Sequence, residues 1–409
     1  MEYINGGVCA PKGFKATGIE VGIKAGHSGK KDMAMIFSEV PCKAAGTFTS
    51  NLVKAAPVQW DKKIVTESGD VRAVVINSGV ANACTGQQGL DYCEKLAAKV
   101  ADVAGIDKTS VLISSTGVIG AQLPIDIMSE GVEKLYPALE GTENGAGLAA
   151  EAIMTTDTVS KQVAVKVQIG GKEVNIGGMC KGSGMIHINM CTMLGFITTD
   201  AAISKEMLQK ALSEIIPDTF NMVSVDGDTS TNDTVLLLAN GLAGNDEITE
   251  ENEDYNILKE ALYAVCEGLS KKIAADGEGA TKLFEVKVLN AKTKSDAIGL
   301  AKSIVTSTLT KAAIFGNDAN WGRILCAMGY SGIIFQPEKV DLYFESVQGK
   351  LKIVEDGVAT GYSEEEATKI LNQKEVTCIA DVKMGEYSVA AWGCDLTYDY
   401  VKINADYRS

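Results

Sequence analysis

Residues 177–196 read Gly177-Gly178-Met179-Cys180-Lys181-Gly182-Ser183-Gly184-Met185-Ile186-His187-Ile188-Asn189-Met190-Cys191-Thr192-Met193-Leu194-Gly195-Phe196. The stretch opens on glycines and closes on an apolar run, which predicts a loop entering a buried strand. The hydroxyl of Thr192 stands between a cysteine and a methionine at the head of that run. A buried threonine there ordinarily hydrogen-bonds a backbone group of its own sheet. Its hydroxyl becomes a nucleophile only where a base removes the proton, and a free N-terminal amine is such a base. That second reading requires the chain to be cut between Cys191 and Thr192.

Upstream, 161–169 and 173–177 pattern as a hairpin turning at Gly170-Gly171 and delivering the chain to this stretch. A helix over 147–154 runs into Met154-Thr155-Thr156-Asp157-Thr158, whose side chains either cap the helix or line a site. The apolar strand Val111-Leu112-Ile113-Ser114-Ser115 breaks into Thr116-Gly117-Val118-Ile119-Gly120. Most such breaks are plain tight turns, but their amide N–H groups can converge on an oxyanion. Earlier still, strands are predicted at 16–23, 32–38, 45–49 and 71–76, and helices at 88–104 and from Pro124 to about residue 139. The small residues Asn77-Ser78-Gly79-Val80-Ala81-Asn82-Ala83-Cys84-Thr85-Gly86 form a loop that lets backbone approach a neighbour closely.

Downstream, 208–216 reads as a helix, 220–225 as a strand and 254–275 as a long amphipathic helix. Between them, Asp226-Gly227-Asp228-Thr229-Ser230-Thr231-Asn232-Asp233-Thr234 carries alternate acids but lacks the glutamate that closes an EF-hand, so it reads as a polar turn. The long helix ends at Asp276-Gly277-Glu278-Gly279, and no phosphate-cradling G-x-x-x-x-G-K-[ST] occurs. Past residue 282 the pattern restarts. Strands at 283–289, 340–345, 351–354, 375–382 and 387–392, with helices at 295–312 and 364–372, predict a smaller α+β domain.

Composition limits the function classes. The chain has 409 residues, 46% hydrophobic and 22% charged, with a net charge of −15. That size supports two or three domains, and the acidic balance argues against nucleic acid or an anionic membrane as partner. The N-terminus lacks a secretory pattern and no apolar run approaches a bilayer's thickness, so a cytoplasmic protein is expected. Ten cysteines without a C-x-x-C pair read as buried thiols, and no metal site is expected. With only His27 and His187 present, catalysis is expected to use a base other than imidazole.

Lys181-Gly182-Ser183-Gly184-Met185-Ile186 followed by Asn189-Met190-Cys191-Thr192-Met193-Leu194 resembles the self-cleavage segment of the ornithine acetyltransferase (glutamate N-acetyltransferase) family. Similar blocks extend from near residue 5 to the C-terminus. Cys191 stands where the family usually carries Ala, and Ile188 where Pro is common. The resemblance implies an α/β fold of α+β type, a layered α-β-β-α sandwich of the ornithine acetyltransferase/aminopeptidase kind. It would comprise a main domain over 1–282, cut between 191 and 192, and a C-terminal α+β domain over 283–409.

The same resemblance implies Thr192 as nucleophile, Thr116 and Gly117 as oxyanion hole, and substrate contacts at Thr155, Lys181, Glu278, Asn404 and Ser409. At the last position Ser replaces the usual Thr, keeping the hydroxyl. Implied substrates are N2-acetylornithine and glutamate. No cofactor is implied, with acetyl-CoA a candidate co-substrate because members differ in using it. The implied assembly is a heterotetramer of two chains of each kind. Two rival readings remain: an N-terminal-nucleophile aminopeptidase or amidase using water as acceptor, and a non-enzymatic small-molecule binding protein.

Overall fold

In the computed structural model, residues 1–23, 29–67, 70–187 and 193–406 are described. The chain opens with strands β1 (Glu2–Ile4), β2 (Phe14–Ile19) and β3 (Met33–Phe48), helix α1 (Ala56–Glu67) and β4 (Val71–Asn77). Helix α2 (Gly86–Ala104), β5 (Val111–Ser115), α3 (Ile125–Leu135) and α4 (Glu143–Ala152) follow, then the hairpin β6 (Lys161–Ile169) and β7 (Lys172–Lys181). The short β8 (Ile186–His187) precedes β9 (Leu194–Thr199), α5 (Lys205–Ile215), β10 (Val223–Thr229), β11 (Thr234–Ala239) and α6 (Glu253–Ala275). The rest comprises β12 (Leu283–Ala291), α7 (Lys294–Thr306), α8 (Thr308–Phe315), α9 (Trp321–Gly329), β13 (Asp341–Ser346) and β14 (Gly349–Glu355). It closes with β15 (Val358–Ala359), α10 (Glu364–Leu371), β16 (Glu375–Asp381), β17 (Tyr387–Cys394) and α11 (Tyr398–Ala405).

These elements form a mixed α/β structure with two sheets, in keeping with the α/β fold that the resemblance implies. One sheet has nine strands in the order β1-β6-β7-β9-β11-β3-β4-β5, with β2 paired to β3. The other has eight, ordered β15-β14-β13-β16-β12-β17-β10-β8. Two compact units result: Met1–Gly182 with Asn189–Asn221 and Thr229–Leu269, and Ser183–Ile188 with Met222–Asp228 and Ser270–Ser409. No single helix among the described residues is long and apolar enough to cross a membrane.

In the first unit, alternation along β3 and β4 separates two cores. Met33, Met35, Phe37, Ala73 and Val75 join Cys93, Leu96 and Val100 of α2 and Met128 and Val132 of α3. Ala34, Ile36, Val74 and Ile76 join the alanines of α4, together with Met179, Phe196, Leu236 and Leu238. With both faces covered, these strands read as continuous apolar runs. In the second unit Phe284, Val286 and Val288 of β12 are fully buried on one face, beside Ala297, Leu300, Ala301 and Ile304 of α7.

Several elements differ from expectation for physical reasons. The segments 32–38 and 45–49 are one strand, β3, which passes through Pro41 by a register shift between Phe37 and Cys42. Its first part pairs with β2 and β4 and its second with β11, so the proline sits where the partner changes. Helix α1 is absent from the sequence pattern because one of its inward positions is an acid, Asp61. The helix read over 295–312 is two, α7 and α8, because the Ser307 side chain accepts from the Thr310 N–H and caps a new helix. The strand placed at 220–225 begins only at Val223, after a 3-10 turn at Phe220–Met222. All nine described cysteines are free thiols, seven of them buried.

Candidate active site

Thr116 and Gly117 follow the last residue of β5 and sit half-buried against the loop that leaves β4. The Thr116 N–H donates to the Asn77 carbonyl at 3.0 Å, and the Val118 N–H to the Gly79 carbonyl at 3.1 Å. Between them, the Gly117 N–H donates to no group among the described residues, and neither does the Thr116 hydroxyl. One amide and one hydroxyl on adjacent residues are therefore available to an incoming oxygen. Gly117 has φ +128°, and a Cβ there would lie 2.3 Å from the Gly79 carbonyl carbon, so only glycine fits. Below this turn, the Ser115 hydroxyl donates to Asn77 Oδ1 at 2.7 Å, and Asn77 Nδ2 donates to the Val80 carbonyl at 2.8 Å.

A second group gathers around Asp157, also in the first unit. Its carboxylate accepts from Lys161 Nζ and the Gly182 N–H, both at 2.7 Å, and from the Thr155 N–H at 3.1 Å. Lys181 Nζ lies 3.8 Å away. Neither Asp157 nor Lys161 has exposed side-chain surface. Burial alone would raise the Asp157 carboxyl, but the Lys181 and Lys161 ammonium groups and the Gly182 N–H outweigh it and hold it down to about 2. Of the two lysines beside Asp157, Lys181 is the one with side-chain surface open to solvent.

In the second unit, Glu278 is buried and accepts from Asn404 Nδ2 at 2.8 Å. The Asn404 amide also donates to the Tyr400 carbonyl at 3.0 Å, within α11. Backbone at Ser183 and Gly184 holds this acid from the other side: the Glu278 N–H donates to the Ser183 carbonyl at 3.0 Å. A Cβ at Gly184 would fall 2.2 Å from the Glu278 carboxyl carbon. Nearby in the chain, Asp226 accepts from the Met185 and Ile186 N–H groups at 2.6 and 2.8 Å. His187 Nδ1 is 3.1 Å from Ser224 Oγ, and burial, aided by the Lys302 charge, pushes its imidazole below the usual range. The ring is thus bound in β8 and inclined to its neutral form.

The ArgJ family model matches residues 15–409. The arginine biosynthesis bifunctional protein ArgJ of Symbiobacterium thermophilum is 53% identical over 409 residues, covering all of both chains. That of Bacillus subtilis is 46% identical over 406 residues, 99% of this chain and 97% of its own. The chain belongs to the ArgJ family. Among solved structures, an arginine biosynthesis bifunctional protein ArgJ from Bacillus halodurans is similar at 50% identity and TM-score 0.50. That match covers 99% of the crystallised chain but 52% of this one.

Of the positions implied by resemblance to ArgJ proteins, the structure brings Thr155 and Lys181 onto one carboxylate and Asn404 onto Glu278. It sets Thr116 and Gly117 together in one turn. Cys191, Thr192 and Ser409, with His27 and Ile188, lie outside the described residues. Sequence reasoning passed over Lys161, taken only as the start of a strand. Asp157 lies in the loop before β6 and not on a helix, so their spacing of four carried no ion-pair signal in the sequence. It also passed over Asn77 and Asn232, whose roles depend on contacts across the fold.

Proposed function

We propose that this ArgJ family chain cuts itself between Cys191 and Thr192, and that Thr192 then carries acetyl from N2-acetylornithine to glutamate. The observation that carries this reading is the charge arrangement at Asp157. Both N2-acetylornithine and glutamate present an α-carboxylate, and each occupies the site in turn. Lys181, the more accessible cation beside Asp157, suits both by charge. Glu278, steadied by Asn404, suits the ammonium of the ornithine side chain.

In maturation the Thr192 hydroxyl attacks the Cys191 carbonyl, and water hydrolyses the resulting ester. The freed Thr192 amine, with an ordinary pKa of about 7.7–8.0, has a neutral fraction able to take the hydroxyl proton near pH 7. In turnover Thr192 Oγ attacks the acetyl carbonyl, and the oxyanion receives bonds from the Gly117 N–H and the Thr116 hydroxyl. The amine returns its proton to departing ornithine. Glutamate's amino group then attacks acetyl-Thr192 through the same oxyanion.

The half-length of the crystallised Bacillus halodurans chain supports a cut near the middle, since residues 192–409 would also make up about half of this chain. The products stay together because β7, before the cut, pairs antiparallel with β9, after it, from Ile176↔Thr199 to Lys181↔Leu194. Two copies of each product form the assembly, and acetyl-CoA serves as a second donor to glutamate, as the word bifunctional in the relatives' names suggests. The buried free thiols suit a reducing cytoplasm.

Intact mass spectrometry tests the first half of the proposal: two chains, 1–191 and 192–409, are expected, and a single uncut chain overturns it. Transfer to labelled glutamate, set against release of free acetate, separates a transferase from an amidase. Thr192→Ala should remain uncut and inactive, because both reactions need one hydroxyl.

A further inference from the structure

At the start of β11, residues 231–234 contact both the strand end that precedes Thr116 and the residue that follows Thr192. Asn232 is buried, and its Nδ2 donates to the Ala81 carbonyl at 2.5 Å and to the Ser115 carbonyl at 2.8 Å. Ser115 directly precedes Thr116, and Ala81 lies in the loop that packs on Gly117, where the Ala81 N–H donates to the Val118 carbonyl at 2.9 Å. Both amide protons of one side chain are thus used on the end of β5 and on the loop after β4, which frame the oxyanion turn. Its orientation is fixed from the other end, because the Thr231 hydroxyl donates to Asn232 Oδ1 at 2.6 Å. Two residues later, the Thr234 N–H donates to the Met193 carbonyl at 3.0 Å, and Thr234 pairs with Leu194 across the parallel β11–β9 ladder. Met193 is the residue after Thr192. The Thr231 carbonyl and the Asp233 carbonyl accept from the Ala55 and Thr49 N–H groups, so the connecting backbone is itself tied down.

We infer that Asn232 is a positioning residue that fixes the oxyanion turn at Thr116 and Gly117 against the Met193–Leu194 end of the chain that follows Thr192 in sequence. The inference rests on the proposed roles of Thr116, Gly117 and Thr192. An oxyanion hole works only when its donors sit within about 3 Å of where charge develops, and a misplacement near 1 Å costs about a hundredfold in rate. Asn232 touches no substrate in this scheme. It sets a distance, so its loss acts on every step that passes through a tetrahedral oxyanion, self-cleavage included.

The test uses the full chain with Asn232→Ala and with Asn232→Asp, the latter keeping the shape while removing both N–H donors. Self-cleavage is followed by intact mass against time, and transfer from N2-acetylornithine to glutamate by steady-state kinetics. In both variants, kcat and the rate of self-cleavage should fall about tenfold to a hundredfold together, with KM changed less than twofold and the melting temperature close to that of the unaltered chain. Thr116→Ala combined with Asn232→Ala should be no slower than about the worse single variant, since both act on one turn. Wild-type rates in both Asn232 variants, multiplicative losses in the double variant, or variants that fail to fold would overturn the inference. The last outcome would make Asn232 a residue of fold stability. If instead Thr116→Ala leaves both activities intact, the oxyanion reading itself fails.

Discussion

At the scale of single residues, the decisive detail is which atoms are already used. The Thr116 amide is taken by the Asn77 carbonyl, so a contribution from Thr116 must come through its hydroxyl. Thr116→Ala should therefore lower kcat by the equivalent of about 2.7–4 kcal/mol, the usual cost of one oxyanion donor, while Thr116→Ser keeps most of it. A rise in KM at constant kcat would mark Thr116 as a binding group instead. Asp157 gives a prediction in pH. Its carboxyl is held at about 2 when folded, against an ordinary value of about 3.9, so it stabilises the native state above pH 4. That contribution, on the order of 2 kcal/mol, is lost as pH falls from about 4 to 2. Urea melts of the uncut Thr192→Ala chain should therefore lose stability in this window, relative to the same chain carrying Asp157→Asn. Parallel curves would contradict the assignment.

At the scale of elements, the sequence was most legible where apolar residues alternate or run unbroken. The strands β4, β5, β6 and β12 begin where the pattern places them, and α2 and α6 fall within two residues of expectation. Legibility failed where partners distant in sequence decide the outcome. Strand β11, Thr234–Ala239, is a fully buried apolar run, yet it stood next to a polar segment that read as a turn. Helix α11 has no buried residue and hence no periodic stripe to detect. The pieces of the candidate site were all visible as residue types. What the sequence withheld was their pairing: Asp157 with Lys161 and Lys181, and Glu278 with Asn404.

Gly184 shows how such pairing ties a loop residue to a proposed substrate contact. In sequence it is one of several glycines in a loop, but its backbone lies against the Glu278 carboxyl. Gly184→Ala would force that carboxylate to move. KM for N2-acetylornithine should rise about tenfold or more, as expected for losing a charge-assisted bond of about 1.5–3 kcal/mol. The first-unit groups would be left intact, so self-cleavage should proceed. Uncut protein in this variant would show that Ser183–Gly184 serves the cleavage step rather than the substrate.

At the scale of the molecule, the two proposed activities draw on different parts of the chain. Thr116, Gly117, Asn232 and the segment containing Thr192 all belong to the first unit, whereas Glu278 and Asn404 belong to the second. Helix α11 begins with a Thr397 cap, whose hydroxyl accepts from the Tyr400 N–H and donates to the Gly279 carbonyl, and it exposes most of its surface. Deleting residues 404–409 removes the last two residues of that helix and leaves the cap in place. The described residues removed, 404–406, are all exposed, so folding should survive with little change in melting temperature. Self-cleavage should run at the rate of the full chain. Transfer from N2-acetylornithine should collapse through KM, because Glu278 loses the amide that orients it. One preparation would then show a cut protein by mass and a crippled transferase by kinetics. Full transfer activity after the deletion would place Asn404 and Ser409 outside the substrate site, and loss of both activities would mean that cleavage also depends on the second unit.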